Sequence, residues 1–334
     1  EQPKEEGVIK LNTNENPYSP SEKIKEAMSE IKNLRKYPDP AATKLVEAIA
    51  SYHGFDKEEV FVGVGSDDVL AVAFMTFFNG KKPIFFPDIT YSFYPVWAEL
   101  FGIPYEKKAV NDVFEIQKED YYAENGGVVF PNPNAPTGAF LSLEVVEDII
   151  KHNQDVVVIV DEAYIDFGGD TAKELTRKYD NVLVVQTYSK SRSLAGLRIG
   201  YAIGNKELIK AMNDVKYSYN SYTMNEPSIV LGTAILEDEE YFQETRNKII
   251  ETREWFQTEM RKIGFSFADS KANFIFATHE SVPAKEIFEA AKKAKIYVRY
   301  FNQPRIDNYL RITIGTREEM ETLLDFLKEF TAAK

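Results

Sequence analysis

Between Glu59 and Gly204 the chain alternates short apolar runs with segments whose apolar positions recur at helical spacing. The runs Val60 to Val64, Pro83 to Phe86, Gly127 to Phe130, Val156 to Val160, Val182 to Gln186 and Ile199 to Ile203 are apolar almost throughout, as strands covered on both faces should be. Asp67 to Phe78 and Leu143 to His152 read as helices between them. That order predicts an α/β fold with a mostly parallel sheet between helices. The pattern then changes to one long charged amphipathic stretch, Ser228 to Ile263. A strand at Phe274 to Ala277, a helix at Ala284 to Lys293 and the strand pair Ile296 to Tyr300 and Tyr309 to Ile314 follow it. Three parts are expected: an N-terminal arm over 1–27, rich in Asn, Pro and Ser, a large domain over 28–227, and a long connecting helix with a small C-terminal α+β domain over 228–334.

Composition narrows the functions open to such a fold. The 334 residues are 44% hydrophobic, enough for a large core with a smaller partner. A formal charge of −13 makes the average surface repel nucleic acid and anionic lipid, so any phosphate site has to be built from local basic groups. Without cysteine there is no disulfide and no thiolate metal site, and His53, His152 and His279 are too scattered for an imidazole-rich one. No apolar run reaches the roughly 18 to 20 residues of a membrane helix, and the charged start lacks the apolar centre of a signal peptide. The expectation is a soluble, cytoplasmic enzyme acting on small molecules.

In an open α/β sheet ligands gather beyond the carboxyl ends of the strands, so the residues just after each apolar run carry the chemistry. Those positions hold Gly65-Ser66-Asp67, Pro131-Asn-Pro-Asn134-Ala-Pro-Thr-Gly138, Asp161-Glu-Ala-Tyr164 and Gln186-Thr187-Tyr-Ser189-Lys190, with Arg198 eight residues later. Taken singly, each has an ordinary explanation: a surface lysine, a helix-capping aspartate, a packing tyrosine, a tight glycine turn. Together they are a nucleophilic amine, a phosphate clamp made of an arginine fork and hydroxyls, and a carboxylate placed to hold a proton on a pyridine nitrogen. That combination points to pyridoxal 5′-phosphate (PLP) held as a Schiff base on Lys190.

In order and spacing these motifs resemble the fold-type I PLP enzymes of the aspartate aminotransferase superfamily, along essentially the whole chain. The subfamily resemblance is to histidinol-phosphate aminotransferases. It rests on Leu11-Asn-Thr-Asn-Glu-Asn-Pro-Tyr18, Arg35-Lys-Tyr37-Pro-Asp39, Ser193-Leu-Ala-Gly-Leu-Arg198-Ile-Gly-Tyr201 and Tyr309-Leu-Arg311-Ile-Thr-Ile-Gly-Thr316. The resemblance implies catalytic roles for Lys190, Asp161 and Tyr164, with Asn134 joining Tyr164 at the cofactor's phenolic oxygen. It implies that Gly65, Ser66, Asp67, Thr187, Ser189 and Arg198 surround the phosphate and that Tyr91 stacks on the ring. Tyr37 would complete the neighbouring subunit's site in a homodimer, and Tyr18, Arg299 and Arg311 would face substrate.

The implied reaction is amino-group transfer between L-histidinol phosphate and 2-oxoglutarate, in histidine biosynthesis. Aromatic amino-acid transamination and threonine-phosphate decarboxylation are the neighbouring alternatives. A PLP-sensing transcription regulator would need a helix-turn-helix ahead of Leu11. The chain departs from many relatives at Ser191-Arg192-Ser193, which leaves Arg192 either as phosphate support or as an exposed side chain.

Overall fold

The computed structural model describes residues 3, 5–32 and 34–334. Its centre is a seven-stranded sheet: β1 (Val60–Gly63), β2 (Ile84–Pro87), β3 (Tyr105–Lys108), β4 (Val128–Pro131), β5 (Val158–Asp161), β6 (Val182–Thr187) and β7 (Gly200–Gly204). The spatial order is β1-β7-β6-β5-β4-β2-β3, and β7 alone runs against the rest. All six strands expected from the apolar runs are present. The seventh, β3, has the sequence YEKK and lies on the sheet edge, where one side faces solvent and no apolar run is needed.

The sheet's register sets up the site. Pro131 lies beside Asp161 across β4 and β5, and Thr187 lies beside Gly200 across β6 and β7. Because β7 returns antiparallel, the connection from Tyr188 to Ile199 begins and ends at the same edge of the sheet. Lys190 and Arg198 are therefore held at one mouth. Strands β1, β2 and β4 to β7 are buried along their whole length, packed on one side by the helix Ser66–Phe77 and on the other by Leu143–Lys151 over β2 and β4 to β6 and by the helices Thr43–His53 and Glu226–Ala234 over β1 and β7.

A second, four-stranded antiparallel sheet comprises β8 (Phe265–Ser266), β9 (Phe274–His279), β10 (Arg299–Tyr300) and β11 (Leu310–Thr313), in the order β10-β11-β9-β8. The expected run Ile296 to Tyr300 is split at Val298, so that Ile296–Tyr297 pairs instead with Ile9–Lys10 of the arm. The amphipathic stretch expected as one piece is also interrupted. The helix Glu226–Ala234 ends in a 3-10 turn at Ile235–Glu237, and Asp238, at φ −108° and ψ 62°, leaves helical geometry before the helix Glu239–Lys262 begins. Asn225 caps the first of these helices by accepting from the Ser228 N–H, and Pro227 sits in its first turn. Among the described residues no helix is long and apolar enough to cross a membrane.

Candidate active site

A cavity of about 390 Å3 opens at the carboxyl ends of β4, β5 and β6 and is lined by Ser66, Asp67, Tyr91, Asp161, Tyr164, Thr187, Ser189, Lys190 and Arg198 among others. Nine of the expected residues thus meet in one place.

One end of the cavity is shaped for an anion. Gly65, at φ +85°, precedes the helix Ser66–Phe77, whose first-turn N–H groups have no partner within the helix. A Cβ at Gly65 would stand 2.4 Å from Arg198 Nη2, and one at Gly200 would stand 2.3 Å from the Ser66 nitrogen. The two glycines let an arginine and a strand press against the helix start. Arg198 donates to Ser189 Oγ (3.4 Å) and to the Ala195 carbonyl (3.3 Å), while Thr187 Oγ1 lies 3.0 Å from Ser189 Oγ. The Asp67 carboxylate sits 3.7 Å from Arg198 and accepts the Tyr91 hydroxyl at 2.8 Å. Its side chain therefore aims the arginine and the tyrosine, and its backbone belongs to the helix start.

The other end is built around Asp161, which is 5% exposed at the end of β5. Tyr94 donates its hydroxyl to Asp161 Oδ2 at 2.8 Å, and the Ala163 N–H approaches Oδ1 at 3.3 Å. Burial pushes this carboxyl up to about 6, against the pull of those two donors. A buried carboxylate in the cavity wall suits a protonated pyridine nitrogen, and the anion cradle opposite suits a phosphate. The residues present fit PLP.

Lys190 Nζ lies between the two ends, 3.3 Å from the Thr13 carbonyl and 5.6 Å from the centre of the Tyr164 ring. The Tyr164 hydroxyl accepts from Asn14 Nδ2 at 2.9 Å.

A second cavity of about 360 Å3 shares Thr13, Tyr91 and Ala135 with the first and reaches Arg299 and Arg311. Arg311 is largely buried. Its Nη2 donates to the Asn12 carbonyl at 2.8 Å, and its Nε finds no hydrogen-bond partner among the described residues. Burial, with repulsion from Arg299, lowers its affinity for the proton.

Asn134, Tyr18 and Arg192 meet surroundings other than those expected, and Tyr37, expected to serve a neighbouring subunit, lies on the surface. Asn134 is buried behind the cavity wall, its amide donating to the Ile89 carbonyl and to Thr137 Oγ1, both at 2.9 Å; the wall itself is made by Ala135. Tyr18 lines neither cavity. The chain turns at Asn16, whose Oδ1 accepts the Tyr18 N–H, and the ring packs instead near Lys248. Tyr37 is 83% exposed and lies 4.8 Å from Tyr222, away from this chain's own cavity. Arg192 is neither phosphate support nor exposed: it is 7% exposed, with its guanidinium 4.0 Å from the Phe242 ring and 4.7 Å from the Tyr52 ring.

The residues that sequence reasoning passed over are Tyr94 and the backbone from Asn12 to Asn14. Tyr94 follows Tyr91 by three positions at a helix start, a spacing that puts both on one side. The arm offered only a run of polar residues with no helical or strand period.

The chain is similar to known proteins along nearly its whole length. The family model for aminotransferase class I and II matches residues 6–327. The histidinol-phosphate aminotransferase of Clostridium botulinum (strain Okra / Type B1) is 51% identical over 331 residues, 98% of this chain and 94% of that protein. Among solved structures, the histidinol-phosphate aminotransferase of Clostridium acetobutylicum superposes with a TM-score of 0.90 at 23% identity, covering 98% of this chain and 100% of that one. The Sinorhizobium meliloti histidinol-phosphate aminotransferase, solved with pyridoxal 5′-phosphate, gives 0.88 at 20% identity, covering 97% and 91%. With its motifs at the strand ends and its match running nearly end to end, the chain belongs to the class I and II aminotransferases, in their histidinol-phosphate aminotransferase branch.

Proposed function

We propose that the protein transfers the amino group of L-histidinol phosphate to 2-oxoglutarate, using PLP. The observation that carries the substrate is the pair Arg299 and Arg311, two cations lining the cavity that adjoins the cofactor pocket, one of them with a buried N–H that finds no partner among the described residues. Two forks suit a phosphate dianion, and the same forks suit the side-chain carboxylate of glutamate in the return half-reaction.

PLP, when bound, supplies an electron sink for the electrons released as the substrate Cα–H bond breaks. The chain's residues do the rest. Lys190 holds the cofactor and moves the proton at the substrate Cα. Asp161 would keep a proton on the pyridine nitrogen, with Tyr94 fixing the carboxylate. Ser66, Thr187, Ser189 and Arg198 would hold the phosphate, with Asp67 aiming Arg198, and Tyr91 would pack on the ring. Tyr164 would donate its hydroxyl to the ring oxygen. Aligning Cα–H while Lys190 stands beside it converts a slow bimolecular proton transfer into a local one.

The reading includes a cytoplasmic homodimer in which Tyr37 reaches the neighbouring site, and a division of the chain into arm, large domain and small domain at residues 27 and 227. Exposed Tyr37, Tyr217, Tyr219 and Tyr222 give that surface an aromatic character unusual for open solvent. The test is to mix PLP-loaded protein separately with L-histidinol phosphate, L-phenylalanine and threonine phosphate, each with 2-oxoglutarate. Glutamate should form fastest with histidinol phosphate. Faster turnover of phenylalanine, or carbon dioxide release from threonine phosphate, would replace this substrate with another.

A further inference from the structure

Four consecutive carbonyls of the arm accept from three separate segments, β11 giving two of the donors. Leu11 O takes the Thr313 N–H at 3.0 Å, Asn12 O takes Arg311 Nη2 at 2.8 Å, Thr13 O takes Lys190 Nζ at 3.3 Å, and Asn14 O takes Asn273 Nδ2 at 3.0 Å. This strap ends in Asn14, a buried residue at φ +58°, in the left-handed region that asparagine tolerates better than most residues.

The hydrogen bonds of Asn14 determine its orientation. Thr313 Oγ1 accepts the Asn14 backbone N–H at 3.0 Å, and its own hydroxyl hydrogen goes to Asn14 Oδ1 at 2.9 Å. Turned the other way, the amide would leave that hydrogen without an acceptor among the described residues. The amide nitrogen therefore faces Tyr164 and donates to its hydroxyl at 2.9 Å. A phenol oxygen that accepts from Asn14 keeps its own proton to give elsewhere, and the cavity is where Tyr164 has room to give it. Among the described residues no second amide reaches this spot: Asn134 is committed behind the wall, and Ala135 presents a methyl group.

We propose that Asn14 is a positioning residue that fixes the Tyr164 hydroxyl as a donor toward the oxygen on the cofactor ring. The arm thereby completes the cofactor's surroundings as well as crossing the fold. This rests on the reading that PLP binds at Lys190 with Tyr164 at its ring oxygen.

The pH titration of the visible absorbance of PLP-loaded protein tests it. A donor at the ring oxygen favours its deprotonated form, so removing that donor raises the titration midpoint. Tyr164→Phe sets the full shift. Asn14→Asp presents a carboxylate that takes the Tyr164 proton for itself, and it should raise the midpoint by at least about half as much as Tyr164→Phe does. The double variant should move no further than Tyr164→Phe. Asn14→Gly, which suits the positive φ and deletes the amide, is read the same way if Asn14→Asp fails to fold. If Tyr164→Phe shifts the midpoint while the folded Asn14 variants lose only thermal stability, the role of Asn14 is overturned and the PLP reading stands. Full additivity in the double variant overturns it too. If Tyr164→Phe itself leaves the midpoint in place, the assignment of Tyr164 falls, and this inference falls with it.

Discussion

Arg299 and Arg311 stand directly opposite each other on antiparallel strands β10 and β11. Like charges at facing positions destabilise a sheet, and Arg311 adds the cost of a buried guanidinium whose Nε has no partner among the described residues. A fold keeps such a pair when a ligand of opposite charge relieves it.

Two measurements follow from this. Arg311→Leu should lower kcat/KM for histidinol phosphate by about two to three orders of magnitude, the effect of removing one side of a desolvated charge contact worth about 2–5 kcal/mol. The same variant should be at least as heat-stable as the parent without ligand. With PLP filling the cradle at Arg198, added inorganic phosphate should raise the Tm of the parent and leave the variant nearly unmoved. Equal stabilisation of both by phosphate would remove Arg311 from the substrate site.

Asp161 predicts a pH signature. Its folded carboxyl titrates at about 6, against 3.8 when exposed, and burial is the main cause. The folded state therefore holds this proton more tightly than the unfolded chain does. The stability that this gives is complete below pH 3.8 and is lost as pH rises through about 6, leaving a buried charge above it. In PLP-free protein, Asp161→Asn should remove a penalty on the order of 2–3 kcal/mol at pH 8, with the gain shrinking as pH falls toward 5. Activity should fall by more than about a thousandfold, because the pyridine nitrogen loses its partner. Thermal melts of both proteins across that range decide the matter: a gain that does not depend on pH would mean that the carboxyl is not the cause.

What the sequence made legible follows from what each element has to satisfy. The buried strands announced themselves because both faces are covered, and the residues after them were found because ligands gather at those ends. Strand β3 stayed hidden because a solvated edge imposes no apolar pattern. The break at Asp238 stayed hidden because the apolar period runs on past it. At the site, side chains that hold the cofactor directly were visible as motifs. Asn134 and Asn14 were not separable by type, since which amide reaches the cavity depends on whether a neighbouring carbonyl or hydroxyl has already claimed its protons. Arg192 reads as a site cation by its closeness to Lys190, yet the turn at Ser191 and Arg192 carries its side chain into the aromatic cluster of Tyr52, Tyr188 and Phe242.

Lys190→Ala should separate binding from chemistry. The cradle of Arg198, Ser189 and Thr187 remains intact in that variant, so PLP should still bind, measured by equilibrium dialysis, but without the protein-linked visible absorbance. Turnover should drop by at least about a thousandfold, the contribution typical of a positioned acid-base group together with loss of the covalent anchor. Retention of the absorbance would place the anchor on a different lysine.

Tyr37 distinguishes a site completed across a dimer from one completed within a chain. Its ring is exposed and lies outside both cavities of its own chain. In a two-fold dimer each chain lends the same residue to the other. Tyr37→Phe should weaken PLP retention by about tenfold to a hundredfold, the worth of one hydrogen bond to a charged group. Tyr37→Ala, which loses the ring as well as the hydroxyl and should be far less active still, can be mixed with inactive Lys190→Ala and allowed to exchange subunits. Each mixed dimer then has one site with both Lys190 and Tyr37 intact and one with neither. Half of the dimers are mixed at random exchange, so about one quarter of all sites should regain activity. Recovery near that level places Tyr37 in the neighbouring site. Activity no greater than the sum of the two separate variants would return Tyr37 to its own chain or to the surface.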